Sequence, residues 1–392
     1  MKMIKRPNRL IWALGKVLLK KFAKRINLKV NDNVTGVIKP PFIVLANHSS
    51  VQDYKIDSFV LQKFRPNHVG AYNQFIRKSF IMRELGAVPK RQFVADISLI
   101  HQIKHVMKND GVFVIYPEGG ISVDGTNRAI DPSIAKLIRL IGVPVVALNI
   151  KGSYLSKPRW NETQQKTDQV QADLNVLFSI DQIKQMSVEN IHLGVVKALS
   201  HNVWEWQKKS KVRILSTNFL KGAECLIYKC PNCFSEFSMS TTDNTIKCDK
   251  CEKSWNIEQT GEFNSTSFFK FSDISKWVGW QRQEIKKEID SGKFELVTNV
   301  NLLQLKNFSG YKNFGNGALR QTVNGITYVG MHNNEKVELN FPTLSTRSCS
   351  LSRNNIELSV SDNSYKFVMT DKNLSSKIYL ALSESHNLIK KI

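Results

Sequence analysis

Phe42 to Asp53 reads FIVLANHSSVQD. Pro41 to Ala46 is an apolar run of strand length, and the polar pair Asn47-His48 ends it. A strand with no polar alternation is one buried on both faces, the condition of a parallel sheet covered by helices. Outward from this stretch the pattern repeats. Runs at 111–116, 143–150 and 170–178 also read as strands, and helical periodicity at 52–64, 95–108 and 132–141 alternates with them. The fold class predicted for residues 40–180 is therefore α/β, a mixed, mostly parallel sheet flanked by helices. In such sheets chemistry gathers where strands give way to loops. His48 and Glu118 each follow an apolar run directly, so both belong on that edge.

The 392 residues suffice for two or three domains, and 42% apolar content fits a globular chain. Charge is the outlier: 56 Lys and Arg against 33 Asp and Glu leave a formal +23. That excess calls for a polyanionic partner, either nucleic acid or an anionic membrane surface. No apolar stretch reaches the length of a spanning helix, so no transmembrane segment is expected. Leu10 to Leu14 ends at Gly15-Lys16 without a small-residue cleavage site, so no signal peptide is expected either. A cytoplasmic location and reduced cysteines follow as expectations.

Residues 1–30 hold ten Lys or Arg and no acidic residue. Ile11, Leu14, Leu18, Phe22 and Ile26 recur at helical spacing, with Lys16, Lys20, Lys24 and Arg25 away from that face or at its border. A basic amphipathic helix with Trp12 and Phe22 on or near its apolar side suits an interfacial membrane anchor; packing of the same stripe on the core is the alternative. Past residue 180 comes a helical stretch to 208, a cysteine-bearing segment, a helix at 274–289 and a β-rich region at 292–370. Val323 to Ile326, VNGI, reads as a tight hairpin turn, and a helix at 374–390 closes the chain. Several strands capped by one helix follow the pattern of a pleckstrin-like barrel. The expected organisation is a membrane-interfacial helix at 1–30, a catalytic domain at 31–222, a zinc ribbon at 223–262, and a helix plus β-rich domain at 263–392.

A neutral imidazole is the usual general base near neutral pH, and a carboxylate on its far nitrogen fixes the tautomer. His48 and Asp53, five apart where a loop turns into a helix, can form that pair. An isolated HxxxxD is equally compatible with a helix cap. The blocks that follow decide between them: LGAVPKRQF at 85–93, VFVIYPEGGISVDGT at 112–126 and GVPVVALNIKGSYL at 142–155. Together with ANHSSVQD this succession resembles the glycerolipid acyltransferase superfamily, over roughly residues 35–200. Its members carry an NHxxxxD block, a glycine-led block ending in a basic residue, a Phe-Pro-Glu-Gly block and a Val-Pro block, in that order.

The resemblance implies a membrane-associated O-acyltransferase. His48 would deprotonate an acceptor hydroxyl that attacks an acyl thioester, acyl-CoA or acyl carrier protein, and Asp53 would orient His48. Glu118 and Gly119 match the third block and would shape the acceptor site; Asn47 precedes the catalytic histidine, and Pro144 matches the fourth block. Lys90 and Arg91 are alternative cations for a phosphorylated acceptor, because Arg91 stands five positions after Gly86 where many members have six. Where the third block often continues Gly-Thr-Arg-Ser, this chain has Gly119-Gly120-Ile121-Ser122. The missing cation leaves 1-acyl-glycerol-3-phosphate as the default acceptor, with another lysolipid or a glycolipid as alternatives. Arg128 is either a substitute cation or a solvated loop residue.

Cys230, Cys233, Cys248 and Cys251 form CxxC, fourteen residues, CxxC. Two knuckles at that distance are the pattern of a four-thiolate zinc ribbon, with no coordination position left for substrate, so the zinc is expected to be structural. Cys225 and Cys349 read as ordinary thiols. A basic chain with a zinc ribbon also fits nucleic-acid binding. Yet the ribbon is nearly balanced in charge, with Lys247 and Lys250 against Glu236, Asp243 and Asp249, and the basic excess concentrates in the N-terminal helix. The expected partners are an anionic membrane at its cytoplasmic face, a lysophospholipid and the acyl donor; no nucleic acid is expected.

Overall fold

The computed structural model describes residues 3–264, 271–370 and 374–390. Residues 1–2 of the predicted N-terminal helix segment, and residues 265–270, 371–373 and 391–392 of the predicted C-terminal domain, lie outside the described residues. The chain forms two compact units: residues 1–90, 95–158 and 164–215 make the first, and residues 91–94, 159–163 and 216–392 the second.

The first unit holds seven strands, β1 (Leu28–Asp32), β2 (Phe42–Ala46), β3 (Asn67–Ala71), β4 (Ala87–Lys90), β5 (Val112–Ile115), β6 (Val145–Lys151) and β7 (Val170–Phe178). They join in the order β1-β7-β6-β2-β5-β3-β4. Every neighbouring pair is parallel except β6 with β7. The stretch FIVLA is thus the central strand, and all five of its residues are buried. β1 and β3 are additional to the sequence reading, as is β4. LKVND and NHVGA interleave polar residues because strands at or beside a sheet edge are only half covered, so they lack the continuous apolar run of β2.

The helices of this unit are α1 (Arg9–Arg25), α2 (Asp53–Val60), α3 (Ser79–Glu84), α4 (Ile97–Lys108), α5 (Ser133–Ile141), α6 (Ser153–Ser156), α7 (Ile180–Gln185), α8 (Val188–Leu199) and α9 (Val203–Ser210). Alternation along β2 divides the core between the two sheet faces. Ile43 and Leu45 pack with Ile103 and Val106 of α4, Ile138 of α5 and Val195 of α8. Phe42, Val44 and Ala46 pack with Ile56 and Val60 of α2 and with Ile26 just beyond α1. Each such buried aliphatic side chain stabilises the fold by roughly 1.5–3 kcal/mol relative to exposure.

α1 departs from the single apolar stripe expected of it. Trp12 is buried and its indole Nε1 donates to the Gln62 carbonyl at 3.1 Å, so this residue faces the domain and not a membrane. Phe22 also packs against the core, with Lys55 Nζ 5.1 Å from its ring centroid. Leu10, Leu14, Val17 and Leu18 are exposed, by 78, 73, 55 and 68%. The helix therefore carries two apolar faces. Among the described residues no helix is long and apolar enough to cross a membrane.

In the second unit, β8 (Met239–Thr242), β9 (Thr245–Cys248) and β10 (Ser254–Asn256) make a small antiparallel sheet, followed by α10 (Ile274–Asp290). Then come β11 (Leu296–Leu305), β12 (Lys312–Thr322), β13 (Gly325–His332), β14 (Glu335–Pro342), β15 (Ser350–Ser352), β16 (Asn355–Val360), β17 (Asn363–Met369) and α11 (Leu374–Ile389). These strands form one antiparallel sheet ordered β14-β13-β12-β11-β17-β16-β15. The VNGI turn joins β12 to β13, with Thr322 opposite Gly325. Gly325 has φ 142°, and a Cβ there would meet the Phe341 carbonyl oxygen at 2.3 Å.

Candidate active site and candidate metal centre

Strand register brings the first site together. β2 and β5 are parallel neighbours with Leu45 opposite Ile115, so His48 and Glu118 each lie three residues past a matched pair, at the carboxyl edge of the sheet. His48 Nδ1 lies 3.0 Å from Asp53 Oδ2, and the same oxygen accepts the Ser49 and Ser50 backbone N–H groups at 2.7 and 2.8 Å. Asp53 begins α2, and its side chain closes the turn entering that helix, a role short acidic side chains fill well. Its other oxygen accepts Ser153 Oγ at 2.5 Å. The carboxylate is wholly buried while the imidazole is 19% exposed. With Nδ1–H donating to Asp53, the lone pair of the neutral ring falls on Nε2, the nitrogen placed to accept a proton.

Glu118 is 3% exposed and its oxygens accept the His48 N–H at 2.9 Å, the Arg128 N–H at 2.7 Å and Asn127 Nδ2 at 3.1 Å. Burial holds this carboxyl above its ordinary value, against the lowering effect of those three hydrogen bonds. Its bonds thus fix the loop carrying His48. Asn47 is likewise committed: Nδ2 donates to the Ile150 carbonyl at 2.8 Å and Oδ1 accepts the Ile150 N–H at 2.6 Å. Gly119 turns the chain at φ 69°, its N–H donating to the Tyr116 carbonyl. The Pro144 carbonyl oxygen accepts the Ile43 N–H of the neighbouring strand at 3.0 Å.

The two basic alternatives separate. Lys90 closes β4 opposite Ala71, in the same sheet as the His-Asp pair. Arg91 belongs to the second unit, where its Nη2 donates to the Lys306 carbonyl at 2.9 Å. Arg128 is half-buried, and its Nη1 lies 3.5 Å from the carbonyl of Ile121. Sequence reasoning had no signal for Ser153, which reaches Asp53 from a hundred residues away. Tyr116 was also missed: its ring stacks on His48, centroids 4.1 Å apart. Its place two residues before Glu118 was the available clue.

The four predicted thiolates converge in the second unit, with their sulfurs all within 4.8 Å of one another. Cys230–Cys251 and Cys233–Cys248 sulfur distances are both 3.7 Å. Zn–S bonds of about 2.3 Å in a tetrahedron put sulfurs about 3.8 Å apart, so this donor set fits zinc. Cys248 ends β9, and each knuckle is braced from its own backbone, Phe234 N–H to the Cys230 carbonyl and Glu252 N–H to the Cys248 carbonyl. Cys225 and Cys349 are buried thiols outside any disulfide, and burial pushes the Cys225 thiol up to about 12.

A mostly parallel sheet carries, past its central strand, a partly exposed histidine oriented by a buried carboxylate, a geometry that suits general base catalysis on a hydroxyl or water. Residues 25–151 match the family described as Acyltransferase. The matched segment, about a third of the chain, contains His48, Asp53, Lys90 and Glu118, and the four ordered blocks resemble the glycerolipid acyltransferase superfamily. No curated protein sequence matches the chain significantly. Among solved structures the chain is similar to the 1-acyl-sn-glycerophosphate (LPA) acyltransferase PlsC from Thermotoga maritima, at 20% identity and a TM-score of 0.41, covering 50% of this chain and 80% of that one. It is also similar to the pleckstrin homology (PH) domain of USP37, at 12% identity and a TM-score of 0.20, over 24% of this chain and 98% of that domain.

Proposed function

We propose that the chain transfers a fatty acyl group from an acyl thioester, acyl-CoA or acyl carrier protein, to the hydroxyl of a lysophospholipid, with 1-acyl-glycerol-3-phosphate as acceptor and phosphatidic acid as product. The observation that carries this reading is the His48–Asp53 bond of 3.0 Å at the carboxyl edge of the sheet, within the segment matched as Acyltransferase. His48 Nε2 takes the acceptor hydroxyl proton as that oxygen attacks the thioester carbonyl. The tetrahedral adduct collapses with cleavage of the C–S bond, and the departing thiolate takes the proton back from His48. Asp53 holds the ring and stabilises the imidazolium between these events.

Lys90 is preferred to Arg91 as a phosphate-binding cation, because it closes a strand of the catalytic sheet. Arg128 is a second cation for the acceptor: its guanidinium reaches the carbonyl of Ile121, the position at which the third block often has arginine. The exposed leucines of α1 and the neighbouring Lys20, Lys21, Lys24 and Arg25 suit a peripheral seat on an anionic leaflet, at the cytoplasmic face of the cell membrane. Cys230, Cys233, Cys248 and Cys251 would hold a structural zinc, whose binding energy of about 10–16 kcal/mol stabilises a segment with little core of its own.

The test is to offer labelled lysophosphatidic acid and other lysolipids, with each donor in turn, to the purified protein and to His48→Ala. The wild type should acylate lysophosphatidic acid, and the variant should lose on the order of 10³-fold or more in kcat. A wild type that acylates no lysolipid, or a variant that matches it, would overturn the reading.

A further inference from the structure

A second His-Asp pair stands one helical turn along α2 from the first. Asp57 follows Asp53 by four residues, so both side chains leave the same face of the helix. Asp57 is wholly buried, and His68 Nε2, from β3, lies 2.7 Å from its Oδ1. Its Oδ2 accepts the hydroxyl of Tyr116, and Ser58 Oγ donates to Oδ1 at 3.3 Å. Tyr116 in turn lies flat against His48, with ring centroids 4.1 Å apart and planes 17° from parallel. One tyrosine therefore joins the two pairs: its hydroxyl is anchored on Asp57 and its face covers the imidazole. A carboxylate with no exposure is costly to bury and persists where its bonds are made. Here the partners are a histidine from β3 and the residue that follows β5.

The contact has consequences for acyl transfer that a packing role lacks. The imidazole can turn away from Asp53 only by leaving the stack, so the ring plane is defined from two sides. When His48 takes a proton, it becomes a cation over the face of an aromatic ring, and that attraction acts on the charged form alone. Hydrogen bonding of the Tyr116 hydroxyl to Asp57 pushes electron density into the ring and strengthens the effect. We propose that Tyr116, anchored by Asp57 and His68, is a positioning residue for His48 that aligns the imidazole on Asp53 and stabilises the imidazolium formed during transfer. The proposal rests on the reading of His48 as the base and extends it to a group that touches no substrate.

The test uses the full chain with ¹³C-labelled histidine, in which the His48 signal is identified by its loss from His48→Ala. In the wild type, the His48 ring protons should be displaced upfield by the Tyr116 ring current. Tyr116→Phe keeps the ring and should keep that displacement; Tyr116→Leu should abolish it and lower the pH midpoint of His48. The charged and titratable groups around His48 are Asp53 and, through Tyr116, Asp57 on α2; Glu118 after β5; and His68 on β3 behind Asp57. The midpoint is therefore read from the His48 resonance itself. In the acylation assay Tyr116→Leu should lose about tenfold or more in kcat with KM within about twofold, and Tyr116→Phe should lose less. An undisplaced His48 signal in the wild type, or equal signals and midpoints in wild type and Tyr116→Leu, would overturn the proposal. The resonance measurement needs no turnover, so its failure is distinct from failure of the acyltransferase reading, which an inactive wild type would signal.

Discussion

Asn47 shows how a residue beside the candidate base works through its neighbours. Both ends of its buried amide are bonded to the backbone of Ile150, 103 positions along the chain, and this tie sets where β2 stops and the His48 loop begins. Asn47→Ala leaves a buried N–H and a buried carbonyl without partners, and each orphaned group costs about 1–3 kcal/mol. Urea unfolding should therefore show a loss of about 2 kcal/mol or more. Ser49→Ala removes only an acceptor for one Asn47 hydrogen, at 3.1 Å, and should cost less than about 1 kcal/mol. Equal losses in the two variants would show that the Ile150 tie contributes little. The type of residue at 47 was legible as part of a motif. Its partner was not, because nothing in residues 42–53 specifies which strand lies alongside.

At the scale of elements, α1 separates stability from surface binding. Trp12 faces inward and Leu14 and Leu18 face outward, so substitutions on the two faces have different consequences. Trp12→Ala should destabilise the fold by about 3–5 kcal/mol, as large-to-small changes in a core do. The double substitution Leu14→Ser and Leu18→Ser should leave the melting temperature nearly unchanged and weaken binding to anionic vesicles by about tenfold or more, given the burial energy of a leucine side chain. Co-sedimentation with vesicles and a thermal melt measure the two effects; undiminished vesicle binding would refute the membrane seat. Periodicity identified the helix and its apolar residues. It could not divide them between core and surface, since that depends on which side of α1 meets α2.

At the scale of the whole molecule, the cysteine quartet sits in the second unit with a network of charges and aromatic rings. Lys229, just before Cys230, is buried and paired with Glu236, Glu284 and Glu288, while Lys377 of α11 pairs with Glu236 and Glu288. Trp277 of α10 stands edge-on to Trp255 at 5.0 Å, and Trp280 to Phe234 of the first knuckle at 5.9 Å. Loss of the proposed zinc should therefore spread beyond the four-cysteine segment. A strong chelator, or Cys230→Ser with Cys248→Ser, should shift tryptophan emission to the red and lower the melting temperature, with about one zinc per chain released. Unchanged emission after complete removal of metal would show that the ribbon folds without it.

The central strand, its flanking helices, the His48-Asp53 spacing and the four-cysteine pattern were determined by the sequence alone, because each is a local relation among residues that stay close along the chain. Tertiary structure decided the rest: Glu118 on the His48 backbone, Ser153 on Asp53, the stack of Tyr116, the separation of Lys90 from Arg91 and the two faces of α1. These depend on strand register and helix docking between segments 70 to 103 residues apart for Glu118, Ser153 and Asn47 alike. The physical reason is that a side chain's type constrains what it can bond, whereas its partner is chosen by the packing of a sheet that no short stretch contains.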